Sequence, residues 1–399
     1  MEMSTETAKI ESMIKDSGIY LDYNATTPVD PEVYRAMEPY FKQFFGNPAS
    51  ASHHWGWAAE SAVNKAREQV STLIGAKPNE ITFTGGATES NNWVIFGLIS
   101  KIREENPSEP IHILSSCIEH SSILKALTAA RKQNVEVDFL PVNRFGQVEI
   151  ETIRQAIKPH TKLMSFIWVN NEIGSINPVA DIAKLAREHK IYFHTDATQA
   201  LGKVDVNATA MGIDMMSFSG HKMYGPKGVG GLFIRSKDPK VQINPLIYGG
   251  GQEKGLRSGT LNVPAIVGLG AAADLCHRNI KTEVAHMISL RDLLWTELQK
   301  ALPGITLNGH PTERSPINLN VTLPKTKTEQ ILPRLQKLGV STGSACGTGA
   351  MVISHVLIGL GLDSETIQRS LRLSLGRWTT EEEIHRAVEI LKTAVASAQ

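Results

Sequence analysis

The run Ser-Phe-Ser-Gly-His-Lys-Met-Tyr-Gly-Pro-Lys-Gly (Ser217–Gly228) places Lys222 just after an apolar stretch and among small and hydroxyl residues. A lysine amine in that setting can form a Schiff base with an aldehyde cofactor, and Ser219 and His221 are placed to reach a phosphate on it. A lysine alone in a glycine-rich turn is ordinarily solvated, so its partners decide the reading. Asp196, in His-Thr-Asp-Ala-Thr-Gln, ends another strand 26 residues upstream. A carboxylate there can keep a pyridine nitrogen protonated, which makes the ring an electron sink. Gln199, about one turn further on, is placed to donate to a phenolic oxygen.

Five other sites carry chemistry-bearing residues. Thr-Gly-Gly-Ala-Thr-Glu-Ser-Asn-Asn (Thr84–Asn92) joins a strand to a helix, so the N–H groups of Ala87 and Thr88 face an anion with the helix dipole behind them. His120 follows a strand and can stack on a ring or shuttle protons; Asn170 and Asn171 end a further strand in Val-Asn-Asn-Glu-Ile-Gly. Cys346 lies in Ser-Thr-Gly-Ser-Ala-Cys-Gly-Thr, where small residues suit an accessible nucleophilic thiol rather than a packed one. Arg372, in Ser-Leu-Arg-Leu-Ser-Leu-Gly-Arg, can offer a bidentate fork to a substrate carboxylate.

Positioning these groups takes a large core, and 399 residues with 41% hydrophobic content can build one. The net charge of +1 argues against a nucleic-acid-coating surface or an acidic tail. Cys117, Cys276 and Cys346 are far apart, with no CxxC pair, which suggests neither a disulfide framework nor a zinc knuckle. The first eighteen residues have neither an apolar secretion core nor an arginine-rich leader character, so a cytoplasmic location is expected.

Short apolar runs alternate with amphipathic segments from Glu80 to Ser217. That alternation predicts βαβ units, a mostly parallel sheet with helices on both sides, and hence an α/β fold. Ligands in such folds gather at the carboxyl ends of the strands, where all the strand-borne groups above fall. Asp30 is a plausible N-cap with Pro31 following, and a long helix is expected from about Pro264 to Leu302. Ile317–Leu323 reads as a strand, Thr328–Leu338 as a helix, and Thr379 as the cap of a last helix running to about Ala394. Three parts are expected: an N-terminal segment, residues 1–31, belonging to a small domain; a large cofactor-binding domain, residues 32–275; and the small domain proper, residues 276–399.

These motifs resemble the cysteine desulfurases of the class V aminotransferase superfamily, in the branch linked to iron–sulfur cluster assembly and nitrogen fixation. The likeness runs from about Ile19 to the C-terminus. It rests on Leu-Asp-Tyr-Asn-Ala-Thr-Thr-Pro (Leu21–Pro28), Gly-Asn-Pro-Ala-Ser (Gly46–Ser50), Leu-Arg-Ser-Gly-Thr (Leu256–Thr260), Gly-Ser-Ala-Cys and the motifs above. The resemblance implies a pyridoxal-phosphate transferase of fold type I, with a seven-stranded-like sheet and a smaller α+β domain. It implies that Lys222 carries the cofactor, His120 stacks on its ring, Asp196 pairs with its nitrogen and Gln199 bonds its phenolic oxygen. Ala87, Thr88, Ser219 and His221 would hold the phosphate, and Thr260 would reach the phosphate of the neighbouring subunit in a homodimer. Asn171 and Arg372 match the substrate-carboxylate residues, and Cys346 matches the persulfide cysteine.

The implied reaction takes sulfur from L-cysteine to give L-alanine and a persulfide, passed to an acceptor such as an iron–sulfur scaffold. Alternatives are a selenocysteine lyase, another class V enzyme, or a partner-dependent sulfur-relay protein. Gly347 and Ile353 depart from the family's usual pattern around the cysteine, and the chain stops at Gln399 soon after its last helix, both of which bear on partner docking.

Overall fold

The computed structural model of the protein describes residues 18–342 and 353–398. After a short strand β1 (Ile19–Tyr20) come β2 (Ile81–Thr84), β3 (His112–Ser116), β4 (Glu136–Leu140), β5 (Thr161–Ile167), β6 (Tyr192–Asp196), β7 (Met215–Ser219) and β8 (Gly230–Ile234). β2 to β8 form one seven-stranded sheet in the order β2-β8-β7-β6-β5-β3-β4. The pairs from β4 across to β7 are all parallel, and β8 runs antiparallel to both β7 and β2. β2 and β7 therefore point the same way, and every strand of the sheet except β8 brings its carboxyl end to one edge.

Side chains alternate across this sheet with period two. Leu163, Ile113 and Met215 join a cluster under the helices Ala87–Glu105 and Ser121–Arg131. Their chain neighbours Met164, Leu114 and Met216 join the opposite cluster, under His54–Leu73 and Val179–Glu188. Burial on both faces explains why these strands read as continuous apolar runs. The sequence predicts no strand at β8, because Gly228, Gly230 and Gly231 read as a turn. The glycine is needed for close approach: a Cβ on Gly230 would lie 2.4 Å from the Phe218 carbonyl oxygen and 2.8 Å from Gly86 Cα.

A 39-residue helix, Val263–Ala301, passes from one core to another. Asn262 caps it by accepting from the Ala265 N–H at 3.2 Å, and Pro264 sits in its first turn, where a missing N–H costs nothing. Its buried residues from Val263 to Cys276 pack in the large-sheet cluster. Those from Met287 to Leu298 pack in a second one, which includes Ile19, Leu21 and Tyr23. The second cluster surrounds an antiparallel sheet of β9 (Thr306–Asn308), β10 (Asn318–Thr322) and β12 (Ser370–Ser374), with β10 central.

Three expectations need correction. The helix predicted over Thr328–Leu338 is one α turn (Thr328–Ile331) and a 3-10 turn (Leu332–Arg334), followed by β11 (Leu338–Gly339), which pairs in parallel with β1. Pro333 has no N–H to continue the helix. The last helix, Glu381–Ala396, is capped by Thr380 and not Thr379: Thr380 Oγ1 accepts from the Glu383 N–H at 3.2 Å, and Glu383 accepts in return from the Thr380 N–H at 3.0 Å. Thr379 closes the turn before it, accepting from the Gly376 N–H. Leu21–Thr27, which the sequence suggests is a short extended approach to the first helix, instead bridges Asp22 to Ser374 and then turns over Tyr23–Ala25. Among the described residues, no helix is long and apolar enough to cross a membrane.

Candidate active site

The carboxyl edge of the large sheet opens on a cavity of about 550 Å³ lined by Ala87, Thr88, His120, Asn171, Asp196, Gln199, Ser219, His221, Lys222 and Arg372. Asp196 ends β6 and Ser219 ends β7. His120 caps the helix after β3, and Ala87 opens the helix after β2. Thr260 is exposed and outside this lining, and Cys346 lies outside the described residues. Asn170 is buried behind the cavity. Its Oδ1 accepts from the Glu172 and Ile173 N–H groups and its Nδ2 donates to the Ile118 carbonyl, which shapes the turn that presents Asn171.

In the cavity wall, Lys222 Nζ donates to the carbonyls of Asn24 at 2.6 Å and Ala25 at 2.7 Å. Lys222 sits on a 3-10 turn, Gly220–Lys222, which follows β7 directly. Asp196 receives one hydrogen bond at each oxygen: Oδ1 from the Thr198 N–H at 3.0 Å and Oδ2 from Asn91 Nδ2 at 2.8 Å. Asn91 also donates to Ser122 Oγ at 2.8 Å. No role is assigned to it by the local pattern, yet a polar residue on the buried face of a helix is the signal that marks it. Asn24 is a second residue missed as a functional group, holding Lys222 and accepting from Gln199 Nε2 at 2.9 Å.

His120 Nδ1 accepts from the Ser122 N–H at 3.2 Å, which leaves Nε2 to carry the proton of the neutral ring. Burial lowers the His120 pKa from its ordinary value, so the ring is neutral at pH 7. The residue before it, Glu119, is fully buried, with its Oε1 accepting from Ser116 Oγ at 2.5 Å; burial pushes its carboxyl up to about 8.

The anion end is built from backbone. Gly86 precedes the helix Ala87–Glu105 with φ +144° and no side chain caps that helix, so its first N–H groups turn to the cavity. Ser219 and His221 stand opposite. His221 Nδ1 pairs with Thr26 Oγ1 at 3.1 Å, and burial together with the Lys222 charge pushes its pKa down to about 4. It meets an anion as a neutral N–H donor. Glu89, in the first turn of the same helix, accepts from the Gly85 N–H and from Arg257 Nε at 2.9 Å, which ties the glycine turn to the segment carrying Thr260.

Arg372, on β12, is almost fully buried. Its Nη2 pairs with Asp22 Oδ1 at 2.7 Å and its Nη1 donates to the Asn171 carbonyl at 3.0 Å. Its Nε has no partner among the described residues. The guanidinium is therefore held in place from two sides and is not a wholly free fork. The Asn171 carbonyl is the first of four consecutive carbonyls gripped from the second core and the N-terminal segment. Asn24 Nδ2 and Arg372 donate to Asn171, Asn318 and Asn320 Nδ2 to Glu172, Arg314 Nη2 to Ile173, and the Ser315 N–H to Gly174.

Pyridoxal phosphate fits this donor set. Asn171 Oδ1, Thr198 Oγ1 and Gln199 Oε1 are buried, line the cavity and have no partner among the described residues, so polar capacity is left for a ligand. With an uncapped helix start at one end, and the Lys222 amine and Asp196 carboxylate lining the rest, the cavity matches a phosphorylated pyridine aldehyde.

Residues 19–387 match the model of the aminotransferase class-V family, and the chain belongs to that family. It is 43% identical over 373 residues to the cysteine desulfurase IscS of Rickettsia rickettsii (strain Iowa), covering 94% of this chain and 90% of that protein. The cysteine desulfurase IscS of Rickettsia bellii (strain OSU 85-389) is 44% identical over the same shares. Among solved structures, a NifS-like protein superposes with a TM-score of 0.87 at 33% identity, covering 95% of this chain and all (100%) of that one. The structure "SspA in complex with cysteine" superposes with a TM-score of 0.78 at 34% identity, over 91% of this chain and 100% of the other.

Proposed function

We propose that the protein is a pyridoxal-phosphate-dependent cysteine desulfurase that takes sulfur from L-cysteine onto Cys346 and releases L-alanine. The observation that carries this reading is the placement of the Lys222 amine and the Asp196 carboxylate on one cavity whose far end is an uncapped helix start. The names of the curated relatives supply the substrate. Bound pyridoxal phosphate supplies an electron sink for a substrate carbanion.

The chain's own groups do the rest. Ala87, Thr88, Ser219 and His221 bind the phosphate, Asp196 holds the proton on the ring nitrogen, and Gln199 meets the phenolic oxygen. Asn171 and Arg372 orient the substrate carboxylate. Lys222 takes the proton from the substrate Cα, and His120, neutral with its proton on Nε2, acts as acid or base at the substrate thiol. Cys346 attacks as thiolate: an S–S bond forms, the substrate C–S bond breaks with its electron pair left on Cβ, and protonation of that carbon lets the remaining skeleton leave as alanine. The sulfur then passes to an acceptor protein, an iron–sulfur scaffold being the class the family resemblance implies. The test is turnover of L-cysteine by cofactor-replete protein, with and without a reductant. With the reductant, which supplies the two electrons that free sulfide from the persulfide, alanine and sulfide in equal amounts are expected; no alanine above the protein-free control would refute the reading.

The working unit is a homodimer in which each site borrows Thr260 from the other subunit. Tyr34, Phe41, Phe45, Trp57 and Tyr248 are each more than half exposed on one chain, far more aromatic surface than a soluble monomer usually leaves uncovered. Arg257, three residues before Thr260, is anchored to Glu89 beside the glycine turn, so this segment already borders its own phosphate end. Sedimentation at assay concentration is expected to give twice the mass of 43.6 kDa. A fully active monomer would end the proposal.

A further inference from the structure

Directly behind the Gly220–Lys222 turn lies a second lysine that takes no part in the cavity wall. Lys203 is 5% exposed, and its Nζ donates to the main-chain carbonyl of Lys222 at 2.9 Å. Its neighbour Gly202 packs so closely on the helix Val263–Ala301 that a Cβ there would lie 2.7 Å from Cys276 Sγ. Among the described residues Lys203 has no ion-pair partner. Buried lysines are rare unless paired, because an ammonium loses its hydration. Burial, with the Lys222 charge adding to it, pushes the Lys203 pKa down from 10.5 to about 7, so both of its protonation states are populated near neutrality.

The groups facing it are few. Lys222 and His221 face it from the 3-10 turn, and Cys276 from the long helix, with Arg377 and Glu283 beyond that thiol. None of the first three is an acid that would neutralise an ammonium at pH 7, Cys276 being pushed up to about 11 by burial. A cation at Lys203 therefore acts on its surroundings with little compensation.

We propose that Lys203 is a positioning residue for the cofactor lysine: its amine holds the Lys222 carbonyl, and its charge lowers the proton affinity of the Lys222 nitrogen once that nitrogen is joined to the cofactor. The inference rests on the functional reading above. The carbonyl bond fixes the turn from which Lys222 projects. The charge favours the unprotonated form of the Lys222 linkage when Lys203 is an ammonium and releases it when Lys203 is an amine.

The test is a pH titration of the visible absorbance of the loaded enzyme as wild type, Lys203→Met and Lys203→Gln. Methionine removes both the donor and the charge; glutamine keeps a donor for the Lys222 carbonyl and removes the charge alone. Both variants are expected to titrate at a midpoint about half a pH unit or more above wild type, since a nearby cation no longer opposes protonation. If methionine at this site prevents folding, the glutamine variant carries the comparison. A midpoint in Lys203→Gln equal to that of wild type would overturn the inference and leave Lys203 a purely structural donor. Failure of the functional reading looks different: the wild-type protein would then show no lysine-bound visible band, and the inference would fall with it.

Discussion

Replacing Lys222 with alanine is expected to lower alanine formation from cysteine by on the order of 10⁴-fold, the upper range for loss of a positioned proton-transfer group. The same change removes the covalent tie to the cofactor. The helix start at Ala87, the Asp196 carboxylate and the His120 ring keep their own main-chain and side-chain hydrogen bonds in its absence. Lys222→Ala should therefore still hold pyridoxal phosphate noncovalently and lose it on exhaustive dialysis. Borohydride reduction followed by peptide mapping checks the assignment: wild type should carry the label on Lys222 and the variant none. A label on Lys203 or Lys227 in wild type would refute it.

Replacing Cys346 with serine is expected to leave the visible spectrum, and its change on adding cysteine, intact. Alanine release should fall on the order of 10⁴-fold or more, the scale on which enzymes lose turnover with their nucleophile. The two other thiols are poor replacements. Burial raises the pKa of Cys117 from its ordinary value and pushes that of Cys276 up to about 11, so at pH 7 both stay thiols rather than the thiolates that attack sulfur. The chain on either side of Cys346 is anchored at the site. Ser341 exchanges main-chain hydrogen bonds with Arg372 at 2.7 and 3.1 Å. Ser354 donates to the buried Glu172 carboxylate at 2.5 Å, and His355 Nε2 donates to the Glu119 carbonyl at 2.8 Å. Mass spectrometry of the cysteine-treated protein should place the persulfide on Cys346; finding it on Cys117 or Cys276 would contradict the mechanism.

What was legible in the sequence follows from where each signal is stored. Residues at the ends of parallel strands stand out because an apolar run stops and a polar group follows, which is how Asp196, Ser219, His120 and Asn171 declare themselves. The second layer is quieter. Asn24, Asn91 and Lys203 act through bonds of 2.6–2.9 Å to residues far off in the chain, and no local pattern encodes such a pairing. The antiparallel strand β8, between β2 and β7, is hidden for a related reason: Gly230 leaves room for Gly86, about 140 residues away, and Gly231 for the Phe218 ring. The helix predicted over Thr328–Leu338 fails locally, because Pro333 breaks a segment whose apolar spacing is otherwise helical.

The four gripped carbonyls from Asn171 to Gly174 have a mechanical meaning. A hinge opening between the two cores would have to strip the donors from Glu172, Ile173 and Gly174 and turn Arg372 away from Asn171, at about 1 kcal/mol or more for each buried bond. That cost, on the order of several kcal/mol, would be subtracted from the affinity for an amino acid as small as cysteine. The cysteine carboxylate thus enters a receptor already at its working dimensions. The sulfur, not the protein's halves, is what has to travel.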